Sequence, residues 1–336
     1  MNYTVSVVIP VYNRVHFVER AVESVLKQKN SDSFQIILVD DGSTDGAEKV
    51  CDELQDKYSN VFTFHQKNAG VSAARNLGID KSEGEWISFI DCDDYLLDGF
   101  YEKLFDGETA DLLCCDFLFE RCEFPYIGDR IEEGIYYKKD FNNVLYPVMA
   151  EQTVFYSACN KIFKTDIVKN FDVKFPVGMK YAEDMTFVYE YVKHIDSFKF
   201  VNEKLYYYYM NESSVSIIVR KSFETFKSTY VYQTSFFRDV NADKKIFDNL
   251  QRDFLMSSVD SIMVAADKLR FFEALKYIKS ILDDELFFKE YCLRPVCSRA
   301  DGIVKLLDRR ILNKQALIIM ILLRLNSLKI KLFSKK

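Results

Sequence analysis

Four short apolar runs, the first three each followed by a segment with helical spacing, fill the first hundred residues and constrain the fold more than any other feature. The spacing predicts strands over Val5–Val11, Phe34–Asp40, Val61–Gln66 and Trp86–Asp91, and helices over Phe17–Lys27, Ala47–Tyr58 and Val71–Lys81. Asp45 and Glu48 have capping-box spacing at the start of the second helix. Strands that are hydrophobic almost throughout need cover on both faces, which implies a parallel sheet between layers of helices. Such sheets bind ligands at the carboxyl ends of their strands, so chemistry is expected there.

Beyond Phe100 the alternation loosens. Strands are predicted over Asp111–Leu118, Gly134–Lys138, Phe198–Asn202 and Leu205–Met210, with a helix over Thr186–Lys193. From about Ser222 the pattern is helical to the end, which places a domain boundary near residue 220: a mixed α/β region 1–220, then a helical region 221–336.

The 336 residues carry a net charge of -6, so no basic excess exists to neutralise the phosphates of a nucleic acid. Cys51, Cys92, Cys114, Cys115, Cys122, Cys159, Cys292 and Cys297 show no paired zinc-ligand spacing, and Met1 leads almost directly into a strand. Reduced, buried thiols in a cytoplasmic protein are expected. No apolar run reaches the ~20 residues of a membrane-spanning helix. His16, His65 and His194 are dispersed and do not suggest a metal site.

Three acidic groupings fall where ligands are expected. Asp40-Asp41 ends the second strand, and Asp91-Cys92-Asp93-Asp94 ends the fourth. Asp-Gly-Ser after Asp40 also favours a simple turn. Three carboxylates within four residues repel one another unless a cation or strong donors neutralise them. Mg²⁺ or Mn²⁺ suits such a place, bridging one or two carboxylates to a substrate phosphate. An EF-hand Ca²⁺ loop is excluded, because its remaining ligand positions are missing: Tyr95 and Leu96 follow where an oxygen ligand and a glycine are needed. Glu183-Asp184 opens a predicted helix, where acidic residues are favoured by the dipole and where one carboxylate could act as a general base.

Read in order, these groupings resemble the family 2 glycosyltransferases of GT-A fold. The likeness is carried by VSVVIPVYN at residues 5–13, ILVDDGSTD at 37–45, NAGVSAARN at 68–76 and FIDCDD at 89–94. It extends loosely to Cys159-Asn160-Lys161-Ile162-Phe163, Glu183-Asp184 and Tyr206–Tyr209, covering about residues 3–215. The resemblance implies an α/β GT-A nucleotide-sugar-binding fold with a mainly parallel sheet. It implies an inverting, metal-dependent transferase that moves a hexosyl or N-acetylhexosaminyl unit from a nucleotide-sugar, a UDP-sugar by expectation, to a hydroxyl of a glycan acceptor.

The same resemblance assigns roles. Pro10, Tyr12, Asp41, Asn68, Arg75 and Asp91 would bind the nucleotide-sugar, with Tyr12 against the base and Asp41 accepting from a uracil ring N–H. Asp91 and Asp93 would hold Mn²⁺ or Mg²⁺, with Asp94 competing for the role of Asp93. Asp184 would be the catalytic base, with Glu183 competing. One departure stands out. Related chains often carry a basic residue after the tyrosine-rich strand, where this chain has Met210-Asn211-Glu212, so closure over the diphosphate is expected to fall to Arg220 or Lys221 or to be weaker.

Residues 309–336 hold eight basic residues and no acidic one, with Leu317, Ile321, Leu325, Leu328 and Leu332 at helical spacing. That pattern is what an interfacial helix on an anionic leaflet needs; the alternative is a terminal helix docked on its own domain. The first alternative predicts peripheral contact with the inner face of the cell membrane and a lipid-linked acceptor in polysaccharide assembly. A non-catalytic nucleotide-sugar or glycan binder on the same fold is the competing function, and oligomeric state is not set by the sequence.

Overall fold

The computed structural model describes residues 3–119, 127–151, 154–179, 181–209, 222–293, 310–311 and 313–333. Two compact units are present, Met1–Glu212 and Ser213–Lys336.

The first unit is built on a nine-stranded sheet. Its strands are β1 (Val5–Val11), β2 (Phe34–Asp40), β3 (Val61–His65), β4 (Trp86–Phe89), β5 (Tyr95–Leu96), β6 (Leu112–Phe119), β7 (Gly134–Tyr137), β8 (Lys161–Lys164) and β9 (Ser197–Tyr208). The order is β3-β2-β1-β4-β8-β6-β9-β5, with β7 on β9. Strands β1 to β4 pair in parallel, as their unbroken hydrophobicity predicts, whereas β8 runs antiparallel to both β4 and β6. Every residue of β2 is buried. Helices α1 (Val18–Leu26), α2 (Ala47–Lys57) and α3 (Val71–Lys81) are the crossovers between β1, β2, β3 and β4. Close packing of α3 on β1 depends on Gly78, where a Cβ would fall 2.2 Å from Val8 Cγ1.

Strands β5 and β8 lie outside the elements read in the sequence, and three of the elements that were read differ in detail. The two short strands expected at 198–202 and 205–210 are one twelve-residue strand, β9. Exposed Asn202, Glu203 and Lys204 interrupt its apolar pattern, and a register shift against β6 between Cys115 and Asp116 absorbs the extra length. The capping box at α2 does not form. Gly46 is the N-cap, and Asp45 instead accepts from the Ala47 and Val15 backbone N–H groups. Helix α7 (Glu183–Val192) begins three residues earlier than expected, immediately after Ala182 in the left-handed region. Between β5 and α7 lie α4 (Phe100–Leu104), α5 (Leu145–Ala150) and α6 (Thr165–Asn170).

Helices described in the second unit include α8 (Phe223–Asp239), α9 (Lys244–Lys268), α10 (Phe271–Leu282), α11 (Glu285–Leu293) and α12 (Ala316–Phe333). Ser222 caps α8, its hydroxyl accepting from Thr225 N–H. Helix α12 buries Ala316, Ile319, Met320 and Leu323 while exposing Leu317, Ile318 and Ile321. No described helix is long and apolar enough to cross a membrane. The described cysteines, Cys51, Cys92, Cys114, Cys115, Cys159 and Cys292, are free thiols, and all but Cys292 are buried. Cys122 and Cys297 lie outside the described residues.

Candidate active site

Parallel register carries the ends of β1, β2 and β4 to one rim. Val11 pairs with Asp40, Asp41 N–H donates to Val11 carbonyl, and Ile90 N–H donates to Val8 carbonyl. Tyr12 follows β1 and is 48% exposed, beside part-buried Pro10. Asn13 adopts a left-handed φ of 50° and is tied across the rim: its N–H donates to Ser43 Oγ at 3.1 Å and its Oδ1 accepts from Thr44 N–H at 2.8 Å.

Asp40 and Asp41 have separate tasks. Burial works against the ionised form of Asp40, but Ser43 and His65 outweigh it and hold the carboxyl below its ordinary range. Asp41 accepts from Gln66 Nε2 at 2.7 Å and from the Ala69 and Gly70 N–H groups, each at 2.8 Å. It therefore shapes the Asn68–Gly70 loop, in which Asn68 is exposed. Gly42 turns at φ +75°, and a Cβ there would lie 2.9 Å from Asn68 N.

Arg75 lies at the centre of the acidic groups. It is 3% exposed, donates to Asp91 Oδ1 at 2.7 Å and Asp184 Oδ1 at 2.5 Å, and has Glu183 Oε1 at 3.7 Å. Burial opposes its charge, and Asp184 and Asp91 outweigh burial, so the guanidinium stays protonated. Phe175 lies 5.1 Å beneath it, fixed by reciprocal hydrogen bonds with Asn76 at 2.8 and 2.9 Å. The adjacent Arg-Asn pair thus serves one arrangement. Among the described residues, buried Arg75 Nε and Ser72 Oγ have no hydrogen-bond partner.

The three aspartates after β4 diverge. Asp94 is buried and accepts from Tyr206 Oη and from Tyr209 N–H, each at 2.8 Å. Tyr206 Oη in turn accepts from Asp91 N–H at 3.1 Å. Asp93 is partly open and accepts from Arg14 Nε at 3.3 Å. Burial and then the Asp91 charge push the Asp93 carboxyl above its ordinary range, with Arg14 opposing. Arg20 donates to the Asp93 carbonyl and is boxed by Phe17, Tyr95 and Tyr209 at 5.0 to 5.6 Å. No cluster of three or more candidate metal ligands occurs among the described residues. Mg²⁺ and Mn²⁺ often take only one or two protein carboxylates and complete their shells with phosphate and water. Asp91 and Asp93 fit that smaller demand: neighbouring carboxylates, one of them destabilised by the other's charge and only partly offset by Arg14.

Asp184 sits in the first turn of α7 and is held at both oxygens, by Arg75 and by Ala158 N–H at 3.2 Å. Burial raises its carboxyl, with Arg75 opposing. Burial and the Asp184 charge push Glu183 up to about 7. The fold therefore brings together Arg75, Asp91, Glu183 and Asp184 through direct ion pairs. It sets Pro10, Tyr12, Asp41, Asn68 and Asp93 on the same strand-end rim and the loop beside it. Arg220 and Lys221 lie outside the described residues. The sequence assigned no role to Arg14 or Arg20, whose contacts with Asp93 lie 79 and 73 positions away along the chain.

A nucleotide-binding α/β fold of the GT-A class is what this sheet and its acidic rim define. Residues 6–171 match the family model described as glycosyl transferase family 2, and the chain belongs to that family. It is 26% identical over 293 residues to EpsH of Bacillus subtilis, covering 84% of each chain. It is 30% identical over 222 residues to the minor teichoic acid biosynthesis protein GgaB of the same organism, covering 64% of this chain but only 24% of GgaB. Among solved structures, the 1–349 portion of S. aureus TarS in complex with UDP-GlcNAc superposes with a TM-score of 0.68 at 20% identity, over 94% of this chain and 89% of that one.

Proposed function

We propose that this chain is an inverting, metal-assisted glycosyltransferase that moves a sugar from a UDP-sugar to a hydroxyl of a glycan acceptor in bacterial surface-polysaccharide assembly. The observation that carries the proposal is the bridge Asp91–Arg75–Asp184, which joins the donor rim to a helix-borne carboxylate. The UDP-GlcNAc bound by TarS supports a uridine donor, and the teichoic acid role in the name of GgaB supports a surface-glycan acceptor.

In this reading Tyr12 offers its exposed ring to the base, and Asp41 holds the Asn68–Gly70 loop beside it while keeping one lone pair of Oδ2 for a uracil N–H. Asp91 and Asp93 would hold Mn²⁺ or Mg²⁺, which when bound neutralises charge on the departing diphosphate. Asp184 takes the proton from the acceptor hydroxyl as that oxygen attacks the anomeric carbon. Attack comes from the face opposite the diphosphate, so one displacement inverts the centre. Arg75 fixes the direction of Asp184, and burial keeps that carboxylate basic enough to accept a proton. Such general-base help contributes ~10²–10⁴-fold. A screen of UDP-, GDP- and dTDP-sugar hydrolysis with Mn²⁺ and Mg²⁺ tests the donor assignment: turnover confined to UDP-sugars with added metal supports it, and equal turnover of GDP-sugars rejects it.

The acceptor is proposed to be lipid-linked, with the chain held peripherally at a membrane face. Leu317 and Ile321, two members of the apolar stripe in the basic tail, are exposed on α12 rather than packed beneath it, and Phe272 at the start of α10 is 81% exposed. Deleting residues 309–336 should release the protein from anionic vesicles in a flotation assay, and unchanged flotation would reject the contact.

A further inference from the structure

Lys161 opens β8 with its side chain wholly buried, although a lysine is seldom buried unless it is paired. Its Nζ donates to Ser157 carbonyl at 2.8 Å and to Asn160 Oδ1 at 2.7 Å, and lies 4.4 Å from the centre of the Phe155 ring. Asn160 also donates through Nδ2 to Cys115 carbonyl on β6. The ammonium thus closes the turn Ser157–Asn160 on itself and, through Asn160, fastens that turn to the sheet. The next N–H in the turn, that of Ala158, donates to Asp184 Oδ2. Asp184 is gripped from one side by Arg75 and from the other by a turn that Lys161 holds in shape.

From this we infer that Lys161 is a positioning residue for Asp184: it sets the Ala158 N–H that aims the carboxylate at the acceptor hydroxyl. The role rests on Asp184 being the base. Lys161 does not touch substrate, so its loss should reach turnover through Asp184 alone. A polar core built to hold one carboxylate is consistent with the strain of keeping a charge there, since a buried ammonium is tolerated only with its donors satisfied. Lys161 is displaced from its ordinary titration range to about 8 by burial.

The test is a double-mutant cycle with K161M, D184N and the pair, reading kcat, donor KM, and UDP-sugar affinity by calorimetry. K161M should lower kcat roughly 10–100-fold, as misplacement of a catalytic group does, with donor KM and affinity within about twofold of wild type. In the D184N background K161M should cost nothing further, because the group it positions is gone. K161Q, which keeps an N–H donor for Ser157 carbonyl, should recover part of kcat. A D184N loss accompanied by unchanged kcat in K161M, or a K161M effect of equal size in both backgrounds, would overturn the positioning role alone. D184N turning over like wild type would overturn the base assignment and this role with it. Should K161M fail to bind donor, K161Q decides by the same cycle. If neither variant binds donor, Lys161 serves the fold and the positioning role is overturned.

Discussion

Arg75 and Asp184, 109 residues apart in the chain, meet at 2.5 Å, and the same guanidinium reaches Asp91 at 2.7 Å. One buried cation therefore ties the end of β4 to the start of α7. Removing it with R75M should leave two carboxylates without their counter-charge. Loss of one partner of a buried pair costs about 3–5 kcal/mol, and partial exposure of Asp91 and Asp184 places R75M at the low end. Urea midpoints at unchanged slope measure this. R75K keeps charge but not the fork that spans both acids, so it should fold more stably than R75M while turning over about 10–100-fold more slowly than wild type.

Asp93 and Asp94 are neighbours with opposite environments. Both oxygens of Asp94 are occupied by Tyr206 and Tyr209, whereas the Asp93 carboxylate is partly open and accepts from the exposed Arg14 side chain. D94N should set an amide against one of those donors and cost about 1–3 kcal/mol of stability, while retaining Mn²⁺-dependent UDP affinity. D93N should unfold near the wild-type midpoint and lose that affinity. Calorimetry with and without Mn²⁺ separates them, and the reverse pattern would transfer the metal role to Asp94.

Asp41 accepts three donors from the loop between β3 and α3, including the Ala69 and Gly70 N–H groups. A hydrogen bond to a charged group contributes about 1.5–3 kcal/mol. D41A should therefore speed exchange of the Ala69 and Gly70 amides by roughly 10–100-fold and weaken UDP binding, with little change in distant amides. Protection equal to wild type would show that the loop holds itself.

The first four strands and both strand-end acidic groups were legible because their physics is local: unbroken apolar runs and turn residues directly after them. Long-range pairing was not. Lys161–Lys164 has a lysine at each end, and nothing nearby in sequence reveals that Ser157 carbonyl and Asn160 satisfy the first of them inside the sheet. The Asn202-Glu203-Lys204 triplet reads as a break, yet a bulge against β6 carries the strand through it. Arg75 stood out within its motif, but its partners did not: Asp91 and Asp184 lie 16 and 109 positions away. Arg20 has little local signature: Phe17 at the start of its own helix is near in sequence, but Tyr95 and Tyr209 come from β5 and from the residue after β9.

His65 bridges Asp40 and Asp52 at 3.1 and 2.9 Å, and those hydrogen bonds raise it above 6.5, while Asp40 is held below 3.8. A raised histidine stabilises the fold fully below its unfolded value of about 6.5 and loses that contribution as pH rises through the folded value. A depressed carboxyl stabilises above its unfolded value and loses that contribution as pH falls. The pair should therefore stabilise most between about pH 4 and 6.5, and H65Q should flatten the decline of stability above pH 6.5. NMR titration of His65 checks the direction: a midpoint above 6.5 in the wild type, falling in D52N. A wild-type midpoint at or below 6.5 would remove the bridge from the account.

Substituting Asp184 by Asn leaves a side chain of the same shape that cannot take a proton, so single-turnover transfer to acceptor, measured beside UDP-sugar affinity, decides whether Asp184 is the base. Transfer should fall at least ~10²-fold with donor affinity within about twofold of wild type. Transfer at the wild-type rate would remove Asp184 from the chemistry.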